Sequence, residues 1–460
     1  AWRYLLSGPD IIHYKYKKAK GKPFEVLAPD TRYVFVSSPT HIKELDRAPD
    51  NMLSLYAASS HMLQPEYTMH GYAWFDRKGT GGFGFVRVIR TLLTRNIPTI
   101  LPDLTVMIKK QLADLQTEDP IFRGARHSSV YELTLNLVVL SNALVFFGPE
   151  LARDRSFMNA ALAYVEETVM GAEIIRLMPS FVAPVIGRIV SSRIRAQEKV
   201  FDVLYRAVEQ RRCEKSLAKP GHFSKSYADC IEWILETCPE HNTRSTTSVV
   251  HELMAIWFGS VHGLAMTLTF AIHDLCLHPE YIEPLRYEIE TQYDAFQNTG
   301  NGLPLLDSFI KESARLTPVE SLSTRRQAVQ PFALSDGTKL EVGDWACTPV
   351  RSIMLDPTNY PEPSQFSGFR FADPGLLHGS YPLQPQPSKL TDVDEKWQMW
   401  GTGRMTCPGR FYAAAVMKAI LAQIILGYKC RLVDPTAPRS FAWRSTTVPR
   451  KSTRVAFEPR

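Results

Sequence analysis

The sequence predicts a mainly α-helical protein with a small β-rich region, and three observations predict it. Apolar residues recur at three- and four-residue spacing over long runs, among them Val130 to Phe147, Ile189 to Val208 and Thr246 to Leu277. Strand-like segments are few: Arg32-Tyr33-Val34-Phe35-Val36, a hairpin-like pair around Asp336-Gly337 and Val342-Gly343, and the stretch from Cys430 to Arg460. No Gly/Ser linker, low-complexity run or solenoid-period repeat parts the 460 residues, so one large domain over 1–460 is expected, big enough to enclose a ligand.

In chain order, a strand at Arg32 to Val36 is followed by a helical turn from Pro39 to Leu45, with proline at its start. Pro49 to Gly84 lacks periodicity and is expected to be a loop forming a pocket wall. Val86 to Arg212 is mainly helical, and the more polar Gly221 to Cys238 is expected to connect surface helices. The longest apolar-periodic run, Thr246 to Leu277, stops at His278-Pro279. His251, Glu252, His262, His273 and Asp274 within it would be costly in hydrocarbon, so it reads as a central helix of a helical protein rather than a membrane span. Helices at Glu280 to Gln297 and Pro304 to Leu316 follow, then an irregular Pro/Gly/Ser-rich stretch from Asp356 to Lys389 and a last helix beginning near Pro408.

The charge of +6 is spread along the chain without a dense Lys/Arg block, which argues against nucleic acid as a partner. The basic run Tyr14-Lys15-Tyr16-Lys17-Lys18-Ala19-Lys20 reads either as a juxtamembrane segment facing anionic lipid or as a solvated tail. Seven cysteines without tight clustering suit a reducing compartment rather than a disulfide framework. No signal peptide or N-terminal spanning segment is seen, so either the protein is soluble or an anchor lies outside this chain.

The segment Trp400-Gly401-Thr402-Gly403-Arg404-Met405-Thr406-Cys407-Pro408-Gly409-Arg410 carries most of the chemistry. Two glycines allow a tight turn, and Cys407 stands where a helix starts, with proline expected at the first helical position. Helix-start N–H groups favour thiolate over thiol. A lone cysteine so placed also reads as an inert core residue or a nucleophile. The whole loop, however, resembles the haem-binding signature of cytochromes P450, Phe-Gly-x-Gly-x-Arg/His-x-Cys-Pro-Gly. The resemblance implies haem b (iron protoporphyrin IX) with Cys407 as its thiolate metal ligand, and Trp400, Gly401, Gly403, Arg404 and Gly409 around the cofactor. Two residues depart from the pattern: Trp400 replaces phenylalanine and Met405 the basic residue. Trp400 is expected to shield the sulfur, with its indole N–H as a donor, while Met405 leaves propionate pairing to Arg404 or another arginine.

Glu312-Ser313-Ala314-Arg315 alone is the ordinary spacing of a surface ion pair worth a few tenths of a kcal/mol. Followed by Leu316-Thr317-Pro318, roughly ninety residues before Cys407, it resembles the Glu-x-x-Arg helix of the same family. That likeness implies a buried triad of Glu312, Arg315 and Arg370, the last from Phe366-Ser367-Gly368-Phe369-Arg370-Phe371, with Gly368 in place of the usual proline. It also assigns Arg325 to a haem propionate, which a guanidinium suits, and makes Arg90 a second partner, with Arg87 competing.

The fold implied is that of cytochrome P450, with haem between a long central helix and the cysteine loop. Registering that helix on Pro279 sets Gly259-Ser260-Val261-His262-Gly263 against the family's Ala/Gly-Gly-x-Asp/Glu-Thr motif. His262 then replaces the acid and Gly263 the threonine that relay protons to iron-bound dioxygen. The catalytic expectation falls on His262, Gly263 and Ser260: the histidine as proton carrier, Ser260 or ordered water completing the chain, and Gly263 opening space over the iron. A neutral histidine satisfied by a backbone carbonyl is the competing reading. Further pocket candidates are Tyr56 to Tyr72, Phe258 to Met266 and Val319 to Leu322.

Phrases such as Leu277-His278-Pro279-Glu280 and Asp344-Trp345-Ala346-Cys347 look like fungal family members of secondary metabolism. By that likeness the chain oxidises a bulky apolar terpenoid, alkaloid or polyketide with dioxygen and electrons from an NADPH-dependent flavoprotein reductase. It would do so on the cytosolic face of the endoplasmic reticulum membrane, held there by an N-terminal anchor missing from this chain. Hydroxylation competes with hydrogen abstraction ending in coupling, ring formation or desaturation. A haem-binding or electron-transfer protein without oxygen activation is the alternative from another class. A zinc hydrolase is disfavoured, since no His-Glu-x-x-His or Cys-x-x-Cys is present.

Overall fold

The computed structural model describes residues 1–72, 84–115, 117, 119–122, 124–217, 227–237, 245–377 and 383–460. Its contacts divide the chain into two compact units: Ala1–Leu55, Ile97–Val138 and His262–Arg460 form one, and Tyr56–Asn96 and Val139–Val261 the other. Both are assembled from segments interleaved in the sequence, so no single linker could have marked the division.

Among the described residues, the first unit contains the four sheets. The largest has the strand order Phe24–Leu27, Arg32–Phe35, Trp345–Thr348, Ser323–Ala328, Leu53–Ser54, and only the pair Arg32–Phe35 with Trp345–Thr348 is parallel. Tyr33, Val34 and Phe35 are all buried, which is why this run reads as continuously apolar rather than alternating. Ser38 caps the next helix, Pro39–Arg47, its side chain accepting from the His41 amide, and proline opens the first turn. The antiparallel sheet Tyr428–Leu432, Arg454–Pro459, Ala125–Ser129, Ile121–Phe122 holds most of the predicted C-terminal strands. A hairpin of Ser440–Trp443 and Thr446–Pro449 accounts for the rest. The strands Phe332–Ala333 and Lys339–Leu340 pair across the turn at Asp336-Gly337.

Helices Ile282–Thr299, Pro304–Leu316 and Arg410–Gly427 form much of the helical part of this unit. Burial of Ala414 to Ile425 on every face explains the uniform apolarity of the last. The helix Pro304–Leu316 is capped from outside itself. Both oxygens of the buried Glu288 accept from its first amides, Leu305 N at 2.7 Å and Leu306 N at 2.9 Å.

The second unit is helical among its described residues. Asp154, Asp229 and Ser245 cap the helices Arg155–Arg176, Cys230–Glu236 and Thr246–Ser260 with side-chain oxygens. Arg211 pairs with Asp229 at 2.8 Å in a buried site that also holds Glu232, and Lys215 reaches Glu232 at 2.6 Å.

Several expectations are corrected. Leu55–Leu63 and Pro65–Thr68, within the stretch read as loop, are helices. Only Ala58 and Leu63 of the first are buried, so it shows no apolar stripe; residues 73–83 of that stretch lie outside the described ones. The basic run is not a tail but the last turns of the helix Tyr4–Ala19, where Tyr16 donates to Asp356 and Lys15 to the Glu25 carbonyl. Cys230–Glu236 is no surface connection, since Cys230, Ile231, Trp233 and Ile234 are buried; residues 218–226 and 238–244 are outside the described ones. The central helix is two, Thr246–Ser260 and His262–Leu277, interrupted at Val261. The last helix begins at Arg410 with Gly409 as its cap, leaving Pro408 in the preceding turn.

Among the described residues, three stretches are long and apolar enough to cross a membrane: Val130–Arg153, Thr246–Leu277 and Arg410–Gly427. Their apolar windows are 78%, 67% and 72% buried, so packing within the protein accounts for their composition.

Candidate functional site

The cysteine loop is built by backbone. Cys407 N donates to the Trp400 carbonyl at 2.8 Å and Gly401 N to the Gln398 carbonyl at 3.0 Å, closing a double turn. Gly401 and Gly403 take φ of +77° and +59°, a region that a side chain disfavours. At Gly403 a Cβ would also lie 2.5 Å from Cγ of Asp46. Asp46 is held there by the Thr402 hydroxyl at 2.9 Å. The loop is thus fitted against the helix Pro39–Arg47, a contact that its local motif did not disclose.

The Cys407 sulfur faces the start of Arg410–Gly427 and receives the amides of Gly409 and Arg410. Burial pushes its thiol up, against the pull of those amides and of the Arg410 charge. Arg410 is oriented by the Thr391 carbonyl at 3.0 Å and the Cys407 carbonyl at 3.3 Å.

The Trp400 indole N–H donates to the Leu390 carbonyl at 2.6 Å, and Trp397 donates to the same carbonyl at 3.0 Å. Arg404 gives Nη2 to the Ala48 carbonyl at 2.7 Å and to Asp50 at 2.8 Å, so its charge is already paired. Both partners come from the segment after Pro39–Arg47, distant in sequence.

Glu312, Arg315 and Arg370 meet as the motif implied, and all are essentially solvent-free. Arg315 donates to Glu312 through Nε at 2.7 Å and Nη2 at 2.9 Å, and Arg370 Nε lies 3.0 and 3.1 Å from the two oxygens. The Ser367 amide adds a bond at 2.9 Å. The arginines then tie down the irregular segment through the carbonyls of Met354, Pro361, Pro363 and Gln365. This answers the sequence ambiguity: the pair is buried, not a surface pair.

Arg325 lies on the strand Ser323–Ala328, whose side chains alternate between partly exposed and buried. Arg325 is on the partly exposed side, 3.1 Å from Glu320, whose carboxylate also accepts from Ser445 and Thr446. Arg326 is on the buried side, with no partner for Nε in the described residues. Arg90 belongs to the second unit, on a π-helical stretch Val88–Leu93, with its side chain exposed.

His262 and Gly263 open the helix His262–Leu277. His262 Nδ1 lies 3.0 Å from the Tyr131 hydroxyl. A Cβ on Gly263 would meet nothing within 4 Å. Ser260, in the second unit, is held by Asn142, which donates to both its carbonyl and its hydroxyl at 3.1 Å, and the hydroxyl donates to the Trp257 carbonyl at 2.9 Å. Its proton is thus engaged within its own helix. A groove of about 570 Å³ in the first unit runs along Ile42, Asp46, Lys311, Trp397, Thr402 and Gly403, but neither Cys407 nor His262 lines it.

The family model described as cytochrome P450 matches residues 8–457. The chain belongs to the cytochrome P450 family. It is accordingly a monooxygenase-type oxidoreductase, of a family whose members hold haem through a cysteine thiolate. Among similar proteins are the cytochrome P450 monooxygenase olcJ of Penicillium canescens, 27% identical over 100% of this chain and 85% of that protein, and paxP of Penicillium paxilli, 28% identical over 98% and 86%. Another is an ent-kaurene oxidase of Gibberella intermedia, 27% identical over 100% and 85%. The P450 fold is shared with the retinoic acid-bound cyanobacterial CYP120A1 structure at TM-score 0.71 and 16% identity, over 99% of this chain and 97% of that one. A half-buried cysteine at a helix start, its sulfur faced by the Gly409 and Arg410 amides, suits a thiolate ligand to iron. The residues present fit the group.

Proposed function

We propose that this P450 binds haem b through Cys407 and oxidises a bulky apolar small molecule. The observation that carries the reading is the Cys407 sulfur at the start of Arg410–Gly427, faced by the Gly409 and Arg410 amides in a chain that belongs to this family. Bound haem supplies dioxygen activation and substrate oxidation. Cys407 holds negative charge on sulfur, and the two amides orient and partly neutralise it. Arg325, 3.1 Å from Glu320, is the first candidate to pair with a propionate, and Arg90 is the second. Met405 offers no charge, and Arg404 serves Asp50 instead. Trp400, Gly401, Gly403 and Gly409 shape the loop that backs the ring.

On the substrate side His262 carries the proton that the family's acid and threonine would handle, while Gly263 leaves room for a large substrate. The ent-kaurene oxidase among the relatives acts, by its name, on a bulky apolar hydrocarbon, which supports a substrate of the terpenoid, alkaloid or polyketide kind. The fungal relatives support a role in secondary metabolism. Electrons come from an NADPH-dependent flavoprotein reductase at the cytosolic face of the endoplasmic reticulum membrane. The exposed apolar side chains Met170, Phe181, Val185 and Ile189 of the second unit suit a lipid surface.

The test is the absorbance spectrum of dithionite-reduced protein with and without carbon monoxide, beside Cys407→Ala. A strongly red-shifted Soret band that vanishes in the variant is expected. A band typical of histidine ligation, or one unchanged by the substitution, overturns the assignment. Product analysis with reductase, NADPH and candidate substrates then separates hydroxylation from coupling or desaturation. Bound haem without reductase-driven dioxygen uptake would point to an electron-transfer role instead.

A further inference from the structure

His262 begins a helix just after the interruption at Val261, and its Nδ1 lies 3.0 Å from the phenol oxygen of Tyr131. Tyr131 is buried in the first turn of the helix beginning at Val130. That turn is fixed against the same stretch of His262–Leu277. Thr134 Oγ1 lies 2.7 Å from Thr269 Oγ1 and donates to the Ala265 carbonyl at 3.2 Å, which also accepts from Thr269 at 2.8 Å. The phenol therefore approaches the imidazole from a rigid two-helix contact rather than from a mobile loop.

A phenol is a far stronger acid than the N–H of a neutral imidazole, so Tyr131 is the donor and Nδ1 the acceptor. The hydrogen of the neutral ring then sits on Nε2. We propose that Tyr131 positions His262 and sets its Nε2–H tautomer: as Nε2 hands over its proton Nδ1 takes the phenol proton, and a proton from solvent then restores the Tyr131 hydroxyl. This rests on the reading of His262 as the proton carrier. It adds a residue that the motif does not contain, and it gives the histidine a fixed ring orientation where the usual acid and threonine are absent.

The test uses the full haem-loaded chain in its diamagnetic reduced carbonyl form, with ¹⁵N-labelled histidine. The His262 ring signals are assigned by their absence in His262→Gln. Wild type is expected to show protonated Nε2 and a hydrogen-bonded, unprotonated Nδ1, and Tyr131→Phe a ring redistributed toward the Nδ1–H tautomer. With reductase and NADPH, the share of consumed dioxygen released as peroxide rather than water should rise severalfold in Tyr131→Phe and in His262→Gln, and no further in the double variant. An Nδ1-protonated ring in wild type overturns the assignment whether or not the variant folds. An unchanged ring spectrum and peroxide share in Tyr131→Phe, with His262→Gln still leaking, overturns positioning by Tyr131 alone. If His262→Gln leaks no more than wild type, the relay reading fails, and with it the proton-donating part of this proposal.

Discussion

Glu312→Gln tests the buried triad most directly. The carboxylate has no solvent exposure and is contacted by Arg315 at 2.7 and 2.9 Å, by Arg370 at 3.0 and 3.1 Å and by the Ser367 amide at 2.9 Å. Glutamine keeps the shape but removes the charge and turns one acceptor into a donor that faces guanidinium donors. Two buried cations are left without a counter-charge, and breaking a buried pair in this way costs about 3–5 kcal/mol. Against a typical stability of about 5–15 kcal/mol, that is about a fifth or more. With a urea dependence of about 3 kcal/mol per molar, the unfolding midpoint should fall by about 1–1.7 M. Tryptophan fluorescence in urea measures it, and haem content per chain should fall in parallel. A midpoint within about 0.3 M of wild type, the scale of an exposed ion pair, would refute the reasoning.

Asp274 is buried, and desolvation pushes its carboxyl up to about 7 against a 2.6 Å bond from Ser313. Because the folded value lies above the ordinary one, the native state prefers the protonated acid. Its stabilising effect is full below pH ~4 and is lost as pH rises through about 7. Asp274→Asn should therefore melt like wild type at pH ~4 and be more stable at pH ~8, by roughly 1–4 kcal/mol; parallel melting curves across that range would sink the assignment. Gly403→Ala should destabilise the loop by about 1–3 kcal/mol and lower haem occupancy, because its Cβ meets Asp46 at a φ of +59°. Gly263→Ala, with no atom within 4 Å of the added carbon, should leave the melting temperature unchanged while weakening the spectral shift produced by a bulky substrate.

What could be read from the sequence was local. The cysteine loop shows itself because its glycines must take positive φ and its cysteine must precede a helix, and both demands fall on consecutive residues. Pro304–Leu316 shows itself because proline opens it, an apolar stripe runs through it and Thr317-Pro318 ends it. The family likeness extended this to Arg370, which the structure brings onto Glu312.

The rest depended on groups far apart in the chain. Motif spacing made the Trp400 indole a donor and turned Arg404 toward the cofactor, but that Leu390 and Asp50 are their acceptors follows from the fold, because a buried or charged donor goes to whichever acceptor is brought within reach. The cap from Glu288 to Leu305, the fit of Gly403 against Asp46 and the phenol of Tyr131 on His262 have no local signature. The sequence by itself determined which residues can ligate, turn or pair, since backbone conformation and side-chain chemistry are properties of short segments. Only the tertiary structure decided which partner each one has, because a hydrogen bond between separate elements is fixed by packing and leaves no trace in spacing.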